Sequence, residues 1–393
     1  MRYFKFLFAV ALFCTASLLA GCSTNPATGK EQFTALMSPA QENEVGASEH
    51  QQIIEQFGLY KDPALQSYVN EIGHRVTQNT ERPDVRYKFF IIDSPIVNAF
   101  ALPGGYIYVS RGLLALANSE AELAAVLAHE TGHITGRHSA ERYSRGVVTS
   151  LGAGLLAAVL DAPAASDALS LGANLYLTSY SRDQEREADS LGLRYMTRGG
   201  YDRDAMPAFL ASLQQESALE SRLAGRGNGG DVSYFSTHPA TGERVAETRA
   251  QGQAYQPGGA NNRERHLKAI DGMIYGDSAE QGFAQGGHFY HPGLGFTFDI
   301  PKGFKIDNQP GQIIMAGPSS DALVIFDIGG NPDHLDPLSY LRAWAEGKPT
   351  QDAEGITING RRAATASFDG NVNGKDMTIR LVAIEWEGGF ARF

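Results

Sequence analysis

Apolar residues recur along this chain with two different periods, and the change of period divides it. Between residues 41 and 79 they fall at three- and four-residue steps: Val45, Ile53, Ile54 and Phe57, then Leu65, Tyr68, Val69, Ile72 and Val76. That spacing predicts helix until Pro83 breaks the run. Tyr87–Ile92 and Tyr106–Val109 read as strands, with Pro103-Gly104-Gly105 as the turn between them. Helical spacing returns from Ser119 to His138, with Ser119 as N-cap and Glu122 closing a capping box. Ser181–Thr197 and Arg203–Leu223 are further helices. A glycine-rich break follows at Gly225–Gly230, then shorter helices at about 241–252 and 262–275.

Residues 276–287 are again glycine-rich and read as a linker. Beyond them the period shortens to two. Gly295–Ile300, Ile313–Ala316, Ala322–Ile328 and Met377–Trp386 are β-branched and aromatic, with one helix at Pro337–Trp344. The expected fold class is therefore α+β. A mostly helical domain with a small β-sheet covers 41–275, and a β-rich accessory domain covers 288–393. Gly389–Phe393 continue a strand pattern without a stop signal, so the accessory domain is expected to be incomplete.

The first 21 residues follow another rule. Arg2 and Lys5 precede an apolar stretch from Phe6 to Ala20, the layout of a secretory signal and too short for a comfortable membrane span. It ends Leu18-Leu19-Ala20-Gly21-Cys22, which resembles a bacterial lipobox with Cys22 as the lipidated mature N-terminus. Acyl chains there would hold the protein on a membrane surface without crossing it. By resemblance to lipoprotein sorting, Ser23 favours the outer membrane over the inner. Residues 22–40 then read as a polar tether. Val147–Leu160 is apolar but too short to span a bilayer, and residues 147–175 are expected to form a buried or partly exposed helix pair.

Composition narrows the function. A length of 393 residues suggests two or three domains, and 42% apolar residues exclude disorder over most of it. With 33 Lys and Arg against 44 Asp and Glu, nucleic acid is not the expected partner. Only Cys14 and Cys22 occur, and cleavage would remove the first. Stability must then come from core burial and a metal rather than from disulfides.

The strongest chemical feature is His129-Glu130-Thr131-Gly132-His133. In a helix the two His lie four apart, about 40° round, so both imidazoles leave one face and can share a zinc ion. Glu130 lies about 100° from His129, beside the metal rather than on it, where it can act as general base. The apolar flank Ala124–Ala128 marks a buried helix, in which His and Glu need partners. A third protein ligand is required. His138 is rejected: the H-E-x-x-H-x-x-G-x-x-H layout wants His at 139, where Ser stands. His138 is expected either to support a ligand or to lie at the surface. A carboxylate from Ser181–Asp189 is the other option. Glu185 and Asp189 are four apart and share a face, so Glu185 can reach the metal while Asp189 orients a ligand His. Spacing alone favours Glu185 over Glu187 only modestly. Glu187 is expected to point away, onto an exposed face with Arg186 or Arg182.

These motifs, in order, resemble the HtpX-like and CAAX-prenyl-protease-like gluzincin zinc metalloendopeptidases, in particular the soluble periplasmic lipoprotein branch with BepA-like and LoiP-like proteases. The resemblance rests on Asn25-Pro26-Ala27-Thr28-Gly29, Asn98–Gly105, Glu120–Ala128 leading into H-E-x-x-H, Glu185-x-x-Ala188-Asp189, and Ser236-Thr237-His238-Pro239 with Arg244. It implies a zincin-type fold over about residues 23–275 and one Zn2+ per chain. It also implies His129, His133 and Glu185 as ligands, Glu130 as base, and Asp189 behind the ligands. For His238 it implies either a fourth, latching ligand or an oxyanion stabiliser; as a bare sequence His238 reads first as a histidine at a helix start, before Pro239. Asn98, Ala99, Phe100 and Ala101 resemble the family's edge strand, on which an extended peptide could pair; from sequence alone a plain core hairpin is an equal alternative. The leading functional expectation is a periplasmic, lipid-anchored endopeptidase that cuts misfolded or stalled envelope proteins, with polypeptide substrates and envelope assembly machinery as partners. A chaperone-like lipoprotein with a mostly latent peptidase is second. A binding protein with a degenerate site is third, disfavoured because every required ligand type is present. His288, His291 and His334 in the β-rich region read as surface or turn residues.

Overall fold

The computed structural model describes residues 22–159, 179–223, 234–238, 242–309, 311–318, 322–345, 348–372 and 375–393. The expected signal segment, the Cys22 side chain, Gly225–Gly230, Pro239 and residues 160–178 of the apolar stretch lie outside that description. The chain divides into two compact units, Met1–Gly276 and Asp277–Phe393. Among the described residues no helix is long and apolar enough to cross a membrane.

The first unit opens with a hairpin, β1 (Cys22–Thr24) and β2 (Glu31–Phe33). This corrects the tether reading of 22–40. Asn25 Oδ1 accepts from the backbone N–H groups of Ala27 and Thr28 and so fixes the turn. Asn25 Nδ2 donates to Thr135 O, and Gln32 Nε2 to Gly136 O. The segment looks like a linker because its buried groups are amides. Their partners are the unmet carbonyls at the end of a distant helix.

The single helical run at 41–79 is in fact two helices. α1 (Pro39–Phe57) starts from a Ser38/Gln41 capping box and ends at Gly58, at φ 67°. α2 (Pro63–Thr77) starts where Asp62 accepts from two backbone N–H groups. Then come β3 (Lys88–Ile92), β4 (Ala99–Leu102) and β5 (Tyr106–Ser110), in the order β3-β5-β4. β3 runs parallel to β5 (Phe89 opposite Ile107) and β4 antiparallel (Phe100 opposite Tyr108), so β4 is an outer strand. The β4–β5 turn needs glycine: Gly104 and Gly105 sit at φ 79° and 97°, with the backbone of Asn43 and Arg86 where a Cβ would stand.

α3 (Arg111–Leu116) leads to α4 (Glu120–Thr135), which is buried on all sides. Only half of the expected capping box forms. Ser119 accepts from the Glu122 N–H, but the Glu122 carboxylate takes the Asn118 N–H instead. Helix was expected through His138; α4 stops at Thr135, and after Arg137 at φ 55° a new helix, α5 (His138–Val159), begins. α6 (Arg182–Arg198) has a Ser181/Gln184 capping box. α7 (Ala205–Leu223), the short α8 (Tyr234–Thr237), α9 (Gly242–Gly252) and α10 (Arg263–Ala269) complete the unit. One core joins α2, the sheet, α4, α6 and α7 through Ile72, Ile107, Leu123, Leu127, Leu193 and Leu213.

The second unit is a three-stranded meander of β6 (Phe283–Gln285), β7 (His288–His291) and β8 (Phe296–Asp299), and a seven-stranded antiparallel sheet. The expected linker 276–287 therefore already contains a strand. The larger sheet is made of β9 (Lys305–Gln309), β10 (Gln312–Ala316), β11 (Leu323–Gly330), β12 (Gln351–Ile358), β13 (Arg361–Val372), β14 (Lys375–Trp386) and β15 (Gly389–Arg392), in the order β12-β13-β14-β15-β11-β10-β9. α11 (Pro337–Trp344) packs Leu341 against Ala364, Ala366 and Phe368. The chain is α+β, as its hydrophobic periods imply.

Candidate metal centre

α4 and α6 cross at very close range because each has a glycine at the crossing. A Cβ on Gly132 would stand 2.8 Å from Ala188 O, and one on Gly192 would stand 3.1 Å from the His129 backbone. That approach brings Glu185 of α6 to the His pair of α4. His129 Nε2 and His133 Nε2 are 3.1 Å apart. Glu185 lies 3.5 Å from the first and 3.4 Å from the second. His238, just after α8, joins them. Its Nδ1 is 3.3 Å from His129 Nε2 and 2.9 Å from Glu185 Oε1. All four residues are buried, and their donor atoms lie within 4.8 Å of one another.

This set fits a metal. Ligand atoms at about 2.0–2.1 Å around a tetrahedral zinc stand about 3.3 Å apart, close to the separations here. Three imidazole nitrogens and a carboxylate are the donor types zinc takes. Both Glu130 oxygens and His238 Nε2 are buried without a hydrogen-bond partner among the described residues, with Glu130 Oε1 3.7 Å from His238 Nε2. Such orphaned groups are costly unless something else meets them.

The surroundings explain how the cluster is charged. His129 Nδ1 is 2.9 Å from Asp189 Oδ1. Burial disfavours charge on His129, but Asp189 and Glu185 outweigh it and push the imidazole up to about 9 in the metal-free protein. Burial drives His133 well below its ordinary value and raises Glu130. For Glu185 burial is outweighed by His238 and the two other His, which hold its carboxyl well below the usual range. Asp189 is held down by Arg244 against the same burial penalty.

Arg244 matters more than its place at the end of a motif suggested. It is buried, its Nε and Nη2 grip Asp189 at 2.7 Å each, and its Nη1 lies 2.7 Å from Glu185 Oε2. Two tyrosines were missed altogether. Tyr180 stacks on the His133 ring (3.7 Å, 19°) and Tyr234 on the His238 ring (4.6 Å, 22°). Aromatic residues in polar flanks carry no sequence signal of this kind. The two segments are tied together and to the loop before β4: Tyr180 N–H donates to Thr237 O, and Tyr234 N–H to Val97 O.

One expectation needs correction, and of the two places expected for His138 the structure selects one. Glu187 does not lie on an exposed face with Arg186. It is largely buried against His138 and Lys30, while Arg186 pairs with Glu243 and Glu247. His138 is buried beside His133 rather than at the surface. Asn98, Ala99, Phe100 and Ala101 are buried although β4 is an outer strand; Ala101 and Leu102 line a small crevice that reaches His133 and Tyr180. In the second unit His288 pairs with Asp299 across the β7–β8 meander, and the only potential metal cluster among the described residues is the one in the first unit.

Two His from one helix and a Glu from a later one, around a buried H-E-x-x-H glutamate, are the arrangement of a metallopeptidase domain. Residues 63–251 match the model of Peptidase family M48. The chain is 34% identical over 209 residues to a putative beta-barrel assembly-enhancing protease of Vibrio cholerae, covering 51% of this chain and 41% of that one. It is 30% identical over 230 residues to the beta-barrel assembly-enhancing protease of Escherichia coli K12, covering 56% and 46%. It is 34% identical over 178 residues to the mitochondrial metalloendopeptidase OMA1 of Schizosaccharomyces pombe, covering 45% and 50%. The matched stretch thus spans half or less of these relatives' own length.

Proposed function

We propose that this protein is a zinc-dependent endopeptidase, with His129, His133 and Glu185 as the metal ligands and Glu130 as general base. The observation that carries the reading is the buried four-donor cluster with, beside it, a Glu130 carboxylate that has no hydrogen-bond partner among the described residues. Zinc, when bound, lowers the pKa of water and polarises a carbonyl. Glu130 takes the proton of the attacking water at a carboxylate oxygen as the oxygen adds to the peptide carbonyl carbon. It returns that proton to the leaving nitrogen as the C–N bond breaks. Asp189 keeps the His129 ring turned to the centre through its Nδ1–H. β4 offers a strand edge along which an extended polypeptide could pair once the crevice beside it opens.

His238 is assigned as a latch. Its Nδ1 stands among the ligand atoms rather than beyond them, and Glu130 and His238 have no solvent exposure. Its segment docks on Val97, next to the strand edge a substrate would use. The basic-then-apolar start and the Ala20-Gly21-Cys22 boundary support a lipid anchor on Cys22 and a periplasmic site, at the outer membrane. With relatives named for beta-barrel assembly, they point to envelope proteins as substrates. The test is metal analysis of the purified protein together with cleavage of an unfolded protein such as casein, with and without chelator. Stoichiometric zinc and chelator-sensitive cleavage support the reading; a protein that binds no zinc overturns it.

A further inference from the structure

His133 has a partner that residue spacing hides. Past the end of α4, Arg137 at φ 55° turns the chain, so His138 folds back over the helix end instead of continuing along it. Its ring lies over Gly136, where a Cβ would stand 2.4 Å from His138 Nε2. His138 Nδ1 is then 2.8 Å from His133 Nδ1. On the far side His138 Nε2 is 3.3 Å from Glu187 Oε1, and Lys30 Nζ donates to Glu187 Oε2. Both rings are buried.

These contacts permit one arrangement of protons. His133 faces the donor cluster through Nε2. An imidazole that binds an ion through Nε2 carries its proton on Nδ1. His133 Nδ1–H must therefore donate to His138 Nδ1, which has to be bare. A neutral imidazole with a bare Nδ1 carries its proton on Nε2, and that N–H of His138 is aimed at the Glu187 carboxylate.

We propose that His138 and Glu187 are positioning residues that lock His133 in its metal-binding tautomer, with Lys30 of the N-terminal hairpin anchoring Glu187. The inference rests on the assignment of His133 as a metal ligand. The two His of the centre are then oriented by different devices: His129 by a carboxylate directly, His133 by a carboxylate through a second imidazole.

The test measures zinc affinity of the metal-free full chain by competition with a chromophoric chelator. His138→Phe fills the space without an acceptor and should weaken zinc binding on the order of 10- to 100-fold. Glu187→Ala should weaken it less, and the double variant no more than His138→Phe, because the two act in series. The thermal midpoint of the metal-free protein should stay within a few degrees of wild type. Nitrogen-15 NMR of the histidines should place the His138 proton on Nε2. Unchanged affinity in both variants, additive effects, a His138 proton on Nδ1, or an affinity loss matched by lost metal-free stability would overturn the proposal. If His138→Phe does not fold, Glu187→Ala decides alone. A wild type that binds no zinc removes the metal-centre assignment and this inference with it, whereas zinc binding with unaffected variants removes only the inference.

Discussion

Arg244 holds Asp189 at two points, Nε to Oδ2 and Nη2 to Oδ1, each at 2.7 Å, and reaches Glu185 with its third nitrogen. One guanidinium thus balances two buried carboxylates on adjacent turns of α6 and aims both at the His pair of α4. Its planar fork suits this grip in a way a Lys ammonium would not.

Replacing Arg244 with Met should therefore cost about 3–5 kcal/mol, since it leaves buried carboxylates without their cation. The pH dependence should change as well. Asp189 and Glu185 have depressed folded pKa values, so in wild type their contribution is present above the unfolded carboxylate values near 4 and is lost as pH falls through the folded ones. Without Arg244, protonation relieves buried charge, and the variant should instead gain stability as pH drops from 7 towards 5. Urea unfolding at several pH values decides; a parallel shift of both curves would refute the role.

Glu130→Gln separates binding from chemistry. Zinc content should be unchanged by mass spectrometry, while cleavage should fall by about 10²–10⁴-fold, the usual weight of a general base. Burial also raises the Glu130 pKa, so a neutral side chain there removes a folded-state penalty. The metal-free variant should melt no lower than wild type at pH 7.

His238→Ala tests the latch. If His238 holds the fourth position, its removal should speed casein cleavage several-fold and weaken zinc binding modestly. A marked fall in cleavage with zinc intact would assign oxyanion stabilisation instead. No change in either would leave His238 a packing residue under Tyr234.

Gly132→Ala probes the helix crossing. Its Cβ would sit 2.8 Å from Ala188 O and 3.0 Å from Ala188 Cα, both backbone atoms that cannot swing away. The helices must part, at about 1–3 kcal/mol, and Glu185 would move off the His pair. Lower stability and weaker zinc binding should appear together. A stable variant with wild-type zinc affinity would show that the close crossing is dispensable.

The helical and β-rich halves were legible because long periodic segments bury one face or both, and that burial writes its period into the residues. The misses share a cause. β9, β12 and β13 went unread because Lys305–Gln309, Gln351–Ile358 and Arg361–Val372 mix polar residues with few large apolar ones. The hairpin at 22–33 was read as a tether because buried Asn25 and Gln32 resemble solvated ones until their carbonyl partners are in view. The Gly58 stop in α1 was hidden by apolar spacing that resumes in phase after it.

By itself the amino-acid order determined what is local: two imidazoles and a glutamate on one buried helix, because 3.6 residues per turn places positions four apart on one face. It also put Glu185 and Asp189 on a common face of a second helix. Only the tertiary structure decided what depends on chain reversal and on contacts far apart in sequence. Arg244 lies 55 residues beyond Asp189, His138 turns back only because Arg137 adopts a positive φ, and Glu187 faces inward because Lys30 and His138 meet it there. Helical geometry fixes directions within a few turns; how two helices are rotated about their axes against each other is set by the glycines and charges where they touch.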